Sequence, residues 1–246
     1  MSIIDSHETT LEGPGLTSAT LARQAHPYGT PLYRRRRQAA LPLPPAGWQC
    51  AAKRGIDIAV SLATLALAPL LLLVALAVRL DSPGPVLFRQ RRIGLDGRPF
   101  TLLKFRTMHD HPTGRGGLRQ ACLHDPRVTR VGALLRHTSL DELPQLWNVL
   151  RGEMSLVGPR PHAPGTCAGG TPFEQVSERY PRRHRVRPGM TGLAQVRGWR
   201  GQTDTEDKLL CRLDSDLEYI ATWSLWLDCV IMARTVATVL RMRNAY

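Results

Sequence analysis

The sequence predicts a helix-rich α+β protein: a globular domain with a small sheet or hairpin, facing the cytoplasm, set on a re-entrant membrane helix-hairpin and flanked by interfacial amphipathic helices. Three observations predict it. No charged residue occurs from Ile58 to Val78, and Pro69 stands in the middle of that run. Apolar residues recur at helical spacing over 131–150 and again over 204–240. Between the first two regions, Pro85–Lys104 alternates apolar and polar residues around turn signals at Gly94 and Asp96-Gly97, the pattern of a short β-hairpin.

Residues 1–47 read as a disordered basic tail, with Arg34-Arg35-Arg36-Arg37, Pro42, Pro44 and Pro45 and no apolar periodicity. The arginine run suits anionic lipid headgroups at about 1 kcal/mol per residue, or it is a solvated charge cluster; both readings stand. It is not a signal peptide, because no apolar stretch follows directly and no small-residue cleavage site is present.

Residues 48–80 read as the membrane hairpin. A helix from Ile58 to Val78 rises about 31 Å, enough to cross a hydrocarbon core of about 30 Å. A central proline deletes a backbone hydrogen bond and crowds the preceding turn, so the helix breaks. Lys53 and Arg54 precede the run, and Arg79, Arg89, Arg91 and Arg92 follow it. Positive charge is retained on the cytoplasmic side, so two positive ends favour entry and return on one face. A straight span and a buried core helix are the competing readings.

Residues 81–246 read as the body. Its apolar helical positions include Leu134, Leu135, Leu140, Leu143, Leu146, Trp147 and Leu150. The last stretch carries Trp223-Ser224-Leu225-Trp226-Leu227 and an apolar face through Val239, which fits an interfacial helix or a plain core helix. The 246 residues carry a net charge of +13, of which the tail supplies only +2. A basic body implies an anionic partner: acidic lipid, phosphorylated substrate or nucleic acid. Aromatic residues are only 6% and avoid the basic clusters, which argues against nucleic acid. The five cysteines are widely spaced, without a C-x-x-C pair, and show neither a zinc pattern nor a disulfide framework.

The chemistry concentrates between Leu134 and Pro161. Asp141 and Glu142 are adjacent acids and, as helix neighbours, would point in different directions, one at a substrate phosphorus and one at a metal ion. Ser139-x-x-Glu142 also matches a capping box, and the two readings are compatible. A helix start attracts phosphate and favours an ionised carboxylate, a reasonable nucleophile for forming an acyl-phosphate. Lys104, Arg106, Arg136 and Arg160 are candidate phosphate ligands, Arg160 lying between Pro159 and Pro161. No Walker-type loop and no Gly-x-Ser-x-Gly occurs, which removes support from kinase, ATPase and serine-hydrolase readings. His109, Asp110 and His111 could hold a metal, although such a loop cluster is more often solvated.

These residues sit in an ordered series of blocks. Lys53-Arg54-x-x-Asp57 comes first, followed by Ser82-x-Gly84-Pro85-Val86, Gln90-x-Arg92-x-Gly94 and Lys104-Phe105-Arg106-Thr107-Met108. Thr138-Ser139-Leu140-Asp141-Glu142-Leu143-Pro144-Gln145 and Ser155-Leu156-Val157-Gly158-Pro159-Arg160-Pro161 follow, then Arg187-Pro188-Gly189-Met190-Thr191-Gly192-Leu193-Ala194-Gln195-Val196 and Tyr219-Ile220-x-x-Trp223-Ser224. Over most of residues 50–240 the chain resembles the bacterial sugar transferases, the monotopic polyprenyl-phosphate phosphoglycosyl transferases. The resemblance implies that 81–246 is a catalytic domain at the bacterial inner membrane. Asp141 would attack the phosphate next to the sugar of a UDP-sugar and release UMP. Polyprenyl (undecaprenyl) phosphate would then take the sugar phosphate from the aspartyl intermediate. Glu142 would bind Mg²⁺, and Arg136 and Arg160 would clamp the diphosphate. The segments 161–186 and 198–205 look similar to enzymes that initiate exopolysaccharide with glucose phosphate, so UDP-glucose is expected, UDP-galactose next. Two features depart from the pattern: Ala68-Pro69 stands where Ser-Pro is common, and only a short tail precedes the hairpin where many relatives carry several spans. An inactive membrane-anchored scaffold or anionic-lipid-binding protein is the competing function, and the sequence leaves oligomeric state unread.

Overall fold

Helix α1 (Trp48–Leu65) and helix α2 (Ala68–Asp81) take up the uncharged run and meet at a bend of 64°. The computed structural model describes residues 47–109, 120, 122 and 125–240, which all fall in one unit spanning Leu41–Tyr246. The basic tail and its arginine run lie outside the described residues, as do Asp110 and His111.

The helix breaks at Ala66-Leu67, just before the expected Ala68-Pro69. Leu67 N–H turns back to the carbonyl of Thr64 at 3.1 Å, which tightens the last turn of α1. Pro69 then sits in the first turn of α2, where its missing N–H costs nothing. Among the described residues no single helix is long and apolar enough to cross a membrane, but the bent pair together is. Leu70, Leu72, Leu73, Leu76 and Leu80 of α2 face outward, while Val74 and Val78 pack on Phe105 and Leu135.

Both ends of the bent pair are fastened to the body by polar bonds. On α1, Lys53 Nζ donates to Val157 O at 3.0 Å and to Asp228 Oδ2 at 2.6 Å. Arg54 donates to the carbonyls of Val149 (2.6 Å) and Leu150 (2.8 Å), and buried Asp57 accepts from Ser155 Oγ and Leu156 N–H. At the end of α2, Arg106 Nη2 donates to Ser82 O (2.6 Å), and Asp81 accepts from Val131 N–H.

The expected hairpin forms as β1 (Leu87–Ile93) and β2 (Pro99–Phe105), antiparallel, with Phe88 opposite Lys104. Its turn contains Asp96 in the left-handed region (φ 53°) and Gly97 (φ 75°), as the Asp-Gly signal predicts.

The helical pattern over 131–150 is real but broken. Helix α3 (Arg130–Thr138) starts where Thr129 Oγ1 accepts from Gly132 N–H, and ends at Ser139, which is left-handed (φ 59°). A 3₁₀ turn, Leu140–Glu142, follows, then helix α4 (Gln145–Arg151). The capping box is therefore not made. Ser139 is a helix end, its side chain makes no cap bond, and its carbonyl accepts from Glu142 N–H at 3.3 Å.

Strand β3 (Ser155–Val157) pairs in parallel with β6 (Gly189–Thr191), and β4 (Cys167–Ala168) pairs with β5 (Thr171–Pro172). Between β5 and β6 lie a short helix, α5 (Phe173–Val176), and a 3₁₀ stretch, Tyr180–Arg185. After β6 come α6 (Leu193–Val196), α7 (Glu206–Thr222) and α8 (Leu225–Leu240), so the stretch 204–240 also splits, at Trp223-Ser224. The core gathers Val149, Met154, Val157, Leu213, Leu217 and Ile220 between α4, β3 and α7. The chain is thus helix-rich α+β, as expected, with three two-stranded sheets among the described residues.

Candidate active site

The 3₁₀ turn after α3 presents Asp141 and Glu142 to a ring of cations drawn from four parts of the chain. Glu142 grips Arg160 with both carboxylate oxygens, Nη1 reaching Oε2 at 3.2 Å and Nη2 making a very short bond to Oε1. Burial alone pushes Glu142 up, but the Arg160 guanidinium outweighs it and holds the carboxyl below its usual range. Asp141 is 7% exposed and has no hydrogen-bond partner among the described residues. Burial, then the neighbouring Glu142, pushes its carboxyl up to about 6, against the pull of Lys104, Arg136 and Arg160.

Lys104 enters from β2, its ammonium 5.3 Å above the Phe88 ring across the hairpin. Burial lowers it to about 8, with Asp141 pulling the other way and Arg136 adding to the fall. Arg136, from the last turn of α3, donates Nε to Thr107 Oγ1 at 2.9 Å, which leaves the rest of its fork free to meet a ligand. Lys104, Arg136, Asp141, Glu142 and Arg160 thus lie together.

Arg106 is used differently. Its Nη2 bonds Ser82 O, Ser82 Oγ (3.0 Å) and Val78 O (3.4 Å), closing the carbonyl end of α2. These contacts are structural and use one nitrogen; Nε and Nη1 are buried without a hydrogen-bond partner among the described residues.

Two cations join the site that the sequence did not single out. Arg92 of β1 bonds Pro161 O at 3.1 Å and Gln90 Oε1 at 2.6 Å, and feels Arg160 and Glu142. Arg200 is half-buried, has no hydrogen-bond partner among the described residues, and is coupled to Glu142 and Arg160. Its loop is caged by Arg212 of α7, which bonds Trp199 O and Gly201 O, each at 2.7 Å, and Thr203 Oγ1. Arg92 belongs to the block Gln90-x-Arg92-x-Gly94, but spacing carries no sign that either arginine reaches the acids. Among the described residues, no group of three or more His, Cys, Asp or Glu is placed to hold a metal.

A helix-rich α+β body, a bent apolar helix pair and an Asp-Glu pair ringed by arginines define a class. Residues 48–242 match the bacterial sugar transferase family, and the chain belongs to it. It is 53% identical over 204 residues to an undecaprenyl-phosphate glucose phosphotransferase of Komagataeibacter xylinus, covering 82% of this chain and 38% of that protein. It is 54% identical over 195 residues to a UDP-glucose:undecaprenyl-phosphate glucose-1-phosphate transferase of Caulobacter vibrioides (79% and 72%). Identity to the Escherichia coli K12 protein of that same name is 52% over 185 residues (75% and 39%). The chain therefore spans well under half the length of the first and third of these relatives, and about three quarters of the second.

Proposed function

We propose that this chain transfers glucose 1-phosphate from UDP-glucose to undecaprenyl phosphate, initiating exopolysaccharide assembly, through a covalent intermediate on Asp141. The observation that carries the reading is a buried carboxyl without a hydrogen bond among the described residues, facing Lys104, Arg136 and Arg160 and beside an acid held ionised by Arg160, with Arg92 and Arg200 near that acid. Two acids against five cations leave three positive charges in excess, which suits a diphosphate. The printed activities of the relatives supply the donor and the carrier.

In the first step an Asp141 oxygen attacks the sugar-bearing phosphorus, the bond from that phosphorus to the bridging oxygen breaks, and UMP leaves. In the second an oxygen of the carrier phosphate attacks the same phosphorus and displaces the Asp141 carboxylate. Lys104, Arg200 and the terminal nitrogens of Arg136 are free to take phosphate oxygens, because Lys104 and Arg200 make no hydrogen bond among the described residues and Arg136 spends only Nε on Thr107. Arg160, already bonded to Glu142, has Nε left to offer.

Mg²⁺ fits the donor set. Arg160 takes one lone pair on each Glu142 oxygen and leaves the others, and part of the Glu142 side chain is open to solvent. An ion there would also relieve the repulsion that raises Asp141. One or two carboxylates completed by phosphates and water is the usual magnesium arrangement. When bound, the ion would neutralise charge developing on the diphosphate oxygens.

The fastening of both ends of the bent pair to one body supports a re-entrant anchor, and the flanking positive charges support its cytoplasmic side, where the carrier phosphate would lie. The test is UMP release by the detergent-purified chain with Mg²⁺, undecaprenyl phosphate and single UDP-sugars, with Asp141→Asn alongside. Release with UDP-glucose, lost in the variant, is expected. A folded, membrane-associated chain that releases UMP from no UDP-sugar would sink the reading in favour of a scaffold.

A further inference from the structure

The backbone that carries Arg160 is held carbonyl by carbonyl. Pro159 O accepts from Gly189 N–H at 2.9 Å, Arg160 O from Arg183 Nη2 at 2.6 Å, Pro161 O from Arg92 Nη1 at 3.1 Å, and His162 O from Ile93 N–H at 3.2 Å. Of these donors, Arg183 is the one whose presence needs explaining. It is 2% exposed in the 3₁₀ stretch Tyr180–Arg185, and its Nε and Nη2 bond Asp216 Oδ2 of α7 at 3.1 and 2.7 Å. Asp216 is itself 3% exposed. The third guanidinium nitrogen, Nη1, lies 3.2 Å from His162 Nδ1, which also meets the Tyr180 hydroxyl at 2.9 Å.

A fully buried ion pair is a poor way to gain stability, because desolvating two charges offsets most of their attraction, and apolar residues of the same volume do as well or better. The value of this pair lies in what its spare donors hold. Burial and Arg183 push the His162 imidazole well below its usual range, so it stays neutral and Nδ1 accepts. Arg183 thereby fixes two points of the three-residue segment Arg160-Pro161-His162, while Asp216 fixes Arg183.

We propose that Arg183 and Asp216 are positioning residues for Arg160. They orient its guanidinium so that it holds Glu142 and, resting on the function proposed above, the donor diphosphate. Neither touches substrate. Their effect travels through the Arg160 carbonyl and the His162 ring. A lysine cannot replace Arg183, because one ammonium cannot reach Asp216, Arg160 O and His162 in a planar fork.

The test is a double-mutant cycle on the full chain in detergent: wild type, Arg183→Lys, Arg160→Ala and the double variant, with UDP-glucose affinity read by calorimetry. Arg183→Lys should weaken binding on the order of tenfold in the wild-type background and leave it unchanged in the Arg160→Ala background. An equal loss in both backgrounds, or no loss in either, overturns the proposal. If Arg183→Lys fails to fold, Asp216→Asn replaces it in the same cycle and is read by the same criterion. A wild-type chain that neither binds nor turns over UDP-glucose sinks the proposed function. The melting temperatures of the four proteins then decide the positioning: non-additive shifts support it, and additive shifts overturn it.

Discussion

At the scale of single residues, Asp141 and Glu142 are neighbours that the fold treats in opposite ways. Glu142 is held ionised by Arg160, whereas burial, followed by Glu142 itself, raises Asp141 to about 6. An attacking carboxylate must be unprotonated, so kcat/KM for UMP release should fall about tenfold per pH unit below the carboxyl's folded value, which is about 6 without metal and lower with Mg²⁺ on Glu142, and level off above it. A profile flat down to pH 4.5 would remove Asp141 as the ionising group. The stability sign is the reverse. A carboxyl raised in the folded state stabilises the protein below its unfolded value and loses that contribution as pH rises through 6. At pH 7.5 Asp141→Asn should therefore abolish UMP release yet raise stability by about 1–3 kcal/mol, seen as a higher Tm. A lower Tm would contradict the burial argument. Arg200→Ala should raise KM for UDP-glucose about tenfold while leaving Tm within a degree or two, since no bond within the described chain is lost. The acids, Lys104, Arg136 and Arg160 were legible because they sit in dense local blocks. Arg92 and Arg200 were not, because the contacts that bring them to Glu142 are tertiary. Arg106, a phosphate candidate by charge and block, spends Nη2 on Ser82 and the carbonyl end of α2, while its Nε and Nη1 are buried without a partner among the described residues.

At the scale of elements, the site depends on a helix that stops. Had α3 continued through Ser139, Asp141 and Glu142 would lie on a regular helix surface; the left-handed Ser139 and the 3₁₀ turn set them across the ring of cations instead. Periodicity showed the helical material over 131–150 and 204–240 but hid the breaks, because apolar spacing survives a short turn. Pro144 was a visible signal for the first break, and Ser139 carried none, since a left-handed serine is decided by the packing around it. The hairpin was easier, because Asp96-Gly97 specifies its own turn. A second element-scale constraint joins β3 to β6. A Cβ on Gly189 would lie 2.1 Å from Gly158 N and 2.4 Å from Thr191 O, all backbone that cannot step aside. Gly189→Ala should therefore cost about 2–4 kcal/mol and lower Tm by several degrees. It should also depress activity, because Gly189 N–H holds Pro159 O next to Arg160. A variant that melts like wild type would show that the two strands have room to part.

At the scale of the whole molecule, the bent helix pair poses a topological question that its own sequence leaves open, since an uncharged run of this length fits a span as well as a return. The bonds at its two ends support the return proposed above. Lys53, Arg54 and Asp57 tie the start of α1 to β3, α4 and α8, and Arg106 and Asp81 tie the end of α2 to β2 and α3. One body holds both ends, so it cannot stand on opposite faces of a bilayer. The charges that flank the run thus act less as free topological signals than as bolts. On the anchor proposed above, the outward leucines of α2 are the surface that lipid would cover, and Leu72 and Leu73 are among the most exposed. Single cysteines in a cysteine-free chain test this directly: Trp48→Cys before the bend, Leu80→Cys after it, and Leu72→Cys between them. In right-side-out vesicles a membrane-impermeant maleimide should label none of the three. In inverted vesicles it should label positions 48 and 80, with 72 protected until detergent is added. Labelling of 48 and 80 from opposite faces would establish a straight span and break the argument from the bolts. Labelling of 72 without detergent would mean that the leucine face meets water rather than lipid.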